Sequence, residues 1–150
     1  MLIEIKDRTK TLITELVAVW DASVKATHTF LGEKDVIALR PFVETGLEEI
    51  DKLVVAYDNH KAVGFMGIAQ GKVEMLFLEP TYIGKGIGKN LMLKAIDEYT
   101  VSYVDVNEQN PHAVVFYKSF GFEVFERTEV DEQGNPFPIL KLRRNTKMCH

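Results

Sequence analysis

Apolar and polar residues alternate along this chain with two different periods, and the switches between them predict its elements. Leu2, Ile3 and Ile5 open it as a short strand. From there Leu12, Ile13, Leu16, Val17, Trp20 and Val24 recur as the stripe of an amphipathic helix. Residues 26–32, ATHTFLG, break the stripe and predict a loop. A second helical region covers about residues 33–51. Pro41 inside it lacks a donor and crowds the preceding turn, so a kink or two short helices is expected. Residues 53–57 and 62–69 read as two strands joined by the turn formers Asp58-Asn59-His60-Lys61. Gln70-Gly71-Lys72 turns the chain again into a strand at 73–78.

A glycine-bearing loop follows, and then Leu91, Met92, Ala95, Ile96 and Tyr99 make one helical face. Residues 101–106, VSYVDV, read as another strand. Asn110-Pro111 places an N-cap before proline at the first helical position. Ala113, Val114, Tyr117 and Phe120 are that helix's stripe, and Gly121 is its expected C′ stop. Strands at 122–130 and 137–142, joined by the hairpin loop 131–136, complete the order β-α-α-β-β-β-α-β-α-β-β. Hairpins make consecutive strands antiparallel, whereas the strands either side of the glycine-loop helix are joined by a crossover and should be parallel.

Composition narrows the class. A chain of 150 residues with 46% hydrophobic and 27% charged side chains is expected to be one soluble globular domain. No apolar run is long enough to cross a bilayer, and the start MLIEIKDRTK, brief and charged, is not expected to act as a signal peptide. Cys149 is the only cysteine, so no intrachain disulfide forms and a reducing cytoplasm is expected. The net charge of −4 argues against nucleic acid as a partner. The basic run at 143–147 reads as a solvated terminus.

The chemistry concentrates at residues 73–92, VEMLFLEPTYIGKGIGKNLM. Gly84, Gly86 and Gly88 lie between a strand and a helix N-terminus, where unpaired N–H groups and the macrodipole attract anions. Lys85 and Lys89 add positive charge to the same turn. A phosphate binder and a tight, ligand-free connection both fit the glycines alone. A P-loop is excluded, because Asn90 follows Gly88-Lys89 and Ile83 stands where the first glycine would be. A dinucleotide fingerprint fails too, since Lys89 occupies its third glycine. No cluster of His, Cys and carboxylates has metal-ligand spacing, so no metal is expected.

Taken together, these residues resemble the GNAT superfamily of N-acetyltransferases. Leu76-Phe77-Leu78-Glu79-Pro80 with Ile83-Gly84-Lys85-Gly86-Ile87-Gly88 is similar to that family's acetyl-CoA motif. Asn110-Pro111-His112-Ala113, Tyr117 and Gly121-Phe122 are similar to its second motif, in the right order and at about the right distance. Ala26-Thr27-His28 and Glu129-Val130-Asp131, with Gly134 and Pro136, further resemble a small bacterial subgroup. The resemblance covers nearly the whole chain. It implies an α+β fold in an α/β three-layer arrangement, with a mixed, mostly antiparallel sheet of about seven strands flanked by about four helices. Ile83 departs from the family's usual Gln or Arg, which removes a polar side chain but leaves the backbone N–H groups, so weaker cofactor binding is expected.

What the resemblance implies is direct attack of an amine on acetyl-CoA in a ternary complex, without a metal. The cofactor would lie against Leu76, Phe77, Leu78, Ile83, Gly84, Lys85, Gly86, Ile87, Gly88, Lys89, Asn110 and Tyr117, with a backbone N–H of the strand, Leu78 first, on the thioester carbonyl. Tyr117 is the candidate acid for the departing thiolate; a plain core tyrosine would show the same stripe. Glu74 and His28 are the alternative bases, and with Phe30 they are expected to border the acceptor pocket; a loop histidine is also often simply packed. The acceptor is expected to be a small-molecule, peptide or protein amine, and the assembly a monomer or homodimer. A non-catalytic acyl-CoA sensor of the same fold is the alternative.

Overall fold

The period-2 runs form strands and the 3.6-residue stripes form helices in the computed structural model, which describes residues 1–144. The strands are β1 (Leu2–Glu4), β2 (Lys52–Asp58), β3 (Lys61–Ala69), β4 (Lys72–Leu78), β5 (Tyr103–Asn107), β6 (Phe122–Thr128) and β7 (Ile139–Arg144). The helices are α1 (Lys10–Thr27), α2 (Glu33–Glu49), α3 (Ile87–Tyr99) and α4 (Pro111–Lys118). One sheet takes the seven strands in the order β1-β2-β3-β4-β5-β7-β6, and only β4–β5 is parallel. Cys149, His150 and positions 145–147 of the basic tail lie outside the described residues. No helix among those described is long and apolar enough to cross a membrane.

Alternation along the central strands builds two cores. Leu53, Val55 and Phe65 pack with Leu16, Trp20 and Leu47 of α1 and α2. Val54 and Met66 point the other way and pack with Leu91, Met92 and Tyr117 of α3 and α4. Each fully buried side chain of this size contributes about 1.5–3 kcal/mol relative to exposure, so a one-residue slip would invert both faces at prohibitive cost. Thr9 caps α1 by accepting from the Leu12 N–H at 3.2 Å. Arg8 closes the far end of α2, donating to the Leu47 and Ile50 carbonyls at 2.8 Å each, where a cation also meets the negative end of the dipole.

Several sequence expectations are corrected. α2 runs through Pro41 as one helix rather than two. β5 begins at Tyr103, not at 101: Thr100 caps α3 at φ +53°, and the Val101 N–H still bonds the Ala95 carbonyl. Val101 is apolar because it is buried beneath that turn, which mimics a strand pattern. β6 stops at Thr128 and β7 starts at Ile139, because Asp131 ties the intervening loop by accepting from the Gln133 and Asn135 N–H groups. α4 ends at Lys118, so Gly121 takes its φ of +91° two residues beyond the Ser119 cap. A 3-10 turn at Pro80–Tyr82 was not foreseen.

Two irregularities in β4 matter most. Its pairing with β5 is confined to Lys72↔Tyr103 and Val73↔Val104, after which the two strands diverge. Its pairing with β3 matches Gly67 to Met75 but Ile68 to Val73, leaving Glu74 as the extra residue of a β-bulge.

Candidate active site

Main-chain groups of an antiparallel strand alternate between its two edges. The Glu79 N–H bonds the Val63 carbonyl at 2.8 Å, so Phe77 and Met75 share that orientation toward β3. Leu76 and Leu78 therefore direct their N–H and C=O groups into the gap where β5 has left. At Leu76 the gap opens into a cleft of about 570 Å³ that runs from the α1–α2 side of the sheet to α4.

Of the residues singled out in the sequence, His28, Glu74, Leu76, Phe77, Asn110 and Tyr117 line this cleft. Phe30 stands beside it, its ring 5.5 Å from both His28 and Phe137. Leu78 and residues 83–89 do not line it; they continue from the open end of β4 into α3. Gly84 and Gly86 adopt φ of +83° and +86°, yet a Cβ at either would meet nothing within 4 Å. Backbone angle, not crowding, requires glycine there. Gly86 caps α3 without a side chain, and its carbonyl receives the Asn90 N–H at 3.0 Å. The N–H groups of residues 87–89 thus have no intrahelical acceptor, no acidic residue occupies that first turn, and Lys85 and Lys89 flank it. Gly88 is different: a Cβ there would lie 3.4 Å from Phe116 and 3.5 Å from Leu78, which lets α3 sit close to its neighbours. Ile83 is 48% exposed, an apolar side chain at the edge of this turn.

Asn110 is 8% exposed and spends its Oδ1 on the Ala113 N–H at 3.3 Å, fixing the first turn of α4. Two turns on, Tyr117 is 7% exposed, held edge-on by Phe116 at 5.2 Å and Phe122 at 6.4 Å. No side-chain hydrogen bond of the described residues involves its hydroxyl, and burial pushes the phenol further up from its ordinary value. It stays protonated at neutral pH.

The two candidate bases stand in contrasting surroundings. Burial pushes the His28 imidazole down to about 4. Thr27 Oγ1 donates its one proton to the Ser23 carbonyl at 2.8 Å, so in its 2.8 Å contact with His28 Nδ1 it accepts. His28 is therefore the Nδ1–H tautomer, with its Nε2 lone pair free. Glu74 is raised above the usual carboxylate value, mainly by burial, against the opposing charge of Lys72. Lys72 Nζ lies 3.7 Å from Glu74 and 2.5 Å from Asp105. Asp105, Asp131 and Glu132 also line the cleft, as do Trp20, Phe42 and Phe137, none of which the sequence marked as a site residue, although Asp131 belongs to the subgroup resemblance and Trp20 to the α1 stripe.

These features match known proteins. Residues 21–142 fit the family described as acetyltransferase (GNAT) domain. The chain is 41% identical over 128 residues to the peptidyl-lysine N-acetyltransferase YjaB of Salmonella typhimurium, covering 85% of this chain and 88% of that one. It is 40% identical to the protein of the same name from Escherichia coli K12, over 85% and 87%. The solution structure of apo-form YjaB from Escherichia coli superposes with a TM-score of 0.84 at 38% identity, covering 95% and 97% of the two chains. PaiA N-acetyltransferase from Thermoplasma acidophilum, in complex with coenzyme A, shares the fold with a TM-score of 0.67 at 21% identity, over 95% and 99%.

Proposed function

The chain belongs to the GNAT acetyltransferase family and is an N-acetyltransferase, and from that premise we propose that it moves the acetyl group of acetyl-CoA onto the side-chain amine of a peptidyl lysine. The observation that carries the reading is the single cleft in which the free edge of β4, the Tyr117 phenol and Glu74 meet. Family and relatives support an enzyme over a sensor.

The residues present fit acetyl-CoA. The left-handed glycines and the free N–H groups at the start of α3 suit its pyrophosphate, with Lys85 and Lys89 adding charge. It brings an activated thioester, and the protein supplies the rest. The outward N–H of Leu78 or Leu76 polarises the thioester carbonyl, a preorganised donor worth roughly 3–4 kcal/mol in the barrier. Tyr117, held protonated by burial, donates toward the departing sulfur.

A lysine acceptor at pKa about 10.4 costs roughly 4–5 kcal/mol to deprotonate at pH 7, so it needs a base and an anionic site. Glu74 offers both, and its place on the bulge turns it out of the strand's regular alternation into the cleft. His28 is neutral and its value near 4 suits a wall rather than a base. With Phe30, Phe77 and Phe137 it gives an aromatic surface on which a lysine's methylene stem packs.

Mass spectrometry of a lysine peptide incubated with acetyl-CoA tests this. Wild type should yield Nε-acetyl-lysine and free CoA. Tyr117→Phe should lower kcat about 10–100-fold, the small end of general-acid effects because a thiolate already leaves tolerably. Glu74→Gln should cost about 100-fold and regain rate as pH rises toward the amine's own value. Acetylation confined to α-amines or small amines would refute the lysine assignment, and an unimpaired Tyr117→Phe would refute the acid.

A further inference from the structure

The cleft is strongly negative. Glu74, Asp105, Asp131 and Glu132 line it, and no lysine or arginine does. Lys72, at its edge, pairs with Asp105 and lies near Glu74, so one cation faces several carboxylates. Asp131 is consumed by its own loop, accepting from the N–H groups of Gln133 and Asn135 and from the Asn135 side chain. Glu132 makes no hydrogen bond or ion pair among the described residues, is exposed, and raises the pKa of both Lys72 and Glu74. The group has no metal geometry: among the described residues no three His, Cys, Asp or Glu converge enough to hold an ion. A second observation points to a ligand in the same cleft: Tyr117 is 7% exposed, lines it and has no hydrogen-bond partner for its hydroxyl among the described residues.

From this we infer that Glu132, on the loop between β6 and β7, makes the enzyme select target lysines that have a cationic residue beside them. If Glu74 receives the proton of the acceptor amine and Lys72 satisfies Asp105, Glu132 is the carboxylate left over. A flanking arginine or lysine supplies its partner, whereas a flanking acid meets repulsion from every carboxylate at the mouth. The inference rests on the lysine reading above and adds the sequence context of that lysine.

The test is steady-state kinetics on three peptides that differ only in whether the target lysine is flanked by Arg, Gln or Glu. Wild type should rank them Arg, Gln, Glu in kcat/KM, with steps of about two- to fivefold carried mainly by KM, the size of a rim ion pair. The steps should shrink as salt is raised. Glu132→Lys should reverse the ranking and Glu132→Gln should flatten it. The order is the readout because a folding defect lowers all three rates together. Equal kcat/KM for the three peptides, or an unchanged order in Glu132→Lys, overturns the inference while leaving lysine acetylation standing. Turnover of small amines with none of any lysine peptide overturns the underlying reading instead.

Discussion

Burying an imidazole against Phe77 and Phe30 makes His28 report on the integrity of the acceptor wall. Its folded value of about 4 lies below the usual 6.5, so between these values the unfolded chain binds more protons. Stability should then fall as pH drops from 6.5 toward 4, by at most about 3 kcal/mol, and be unaffected by this group above 6.5. Thermal melts across that range should show a steeper acid decline for wild type than for His28→Gln, and equal slopes would contradict the assigned burial. At this scale Tyr117 and Asn110 were legible in the sequence because cap, stripe and second motif coincide within residues 110–122. Asp105 and Glu132 were not, and Asp131 entered only through the subgroup resemblance, with no site role. They come from a strand and a distant loop, and nothing local distinguishes such carboxylates from solvated ones.

Among the elements, the connection from β4 to α3 carries the sharpest constraint. Gly86 sits at φ +86° with open space around it, so Gly86→Ala tests backbone strain without a clash. It should lose about 1–2 kcal/mol of stability in urea denaturation and raise KM for acetyl-CoA, while Gly86→Asn, more tolerant of that angle, should lose less. An alanine variant with unchanged stability and KM would show that the loop adapts. Patterning predicted the seven strands and four helices of the described residues from their apolar periods, helped by turn formers between the hairpin strands and by the cap at Asn110-Pro111. It misplaced the start of β5, since Val101 is buried by a helix exit rather than a ladder. It missed the bulge at Glu74 because an extra residue is visible only against the partner strand.

Across the whole molecule the charge is polarised. Lys85 and Lys89 stand at the start of α3, outside the cleft, while Glu74, Asp105, Asp131 and Glu132 line the cleft, so on the proposed reading donor phosphates and acceptor amine meet opposite charges. The insertion of β7 between β5 and β6 could not be read from the chain, because periodicity records which residues face inward and not which strands are neighbours. The early divergence of β4 from β5 was equally invisible, and it carries a consequence for how the protein behaves when idle. A sheet unzipped at its centre leaves the Leu76 and Leu78 amides without a partner on β5, so hydrogen exchange there should be fast in the free protein and slow once acetyl-CoA is added. Saturation at 100 Kd should also stabilise the fold by about 2.7 kcal/mol, whereas ATP should raise the melting temperature far less. Slow exchange at both amides before any addition would mean the seam is already closed. Fast exchange that slows on addition would instead make the enzyme's reagent its missing strand: between turnovers the molecule carries an open wound in its backbone, and each arriving thioester sutures it.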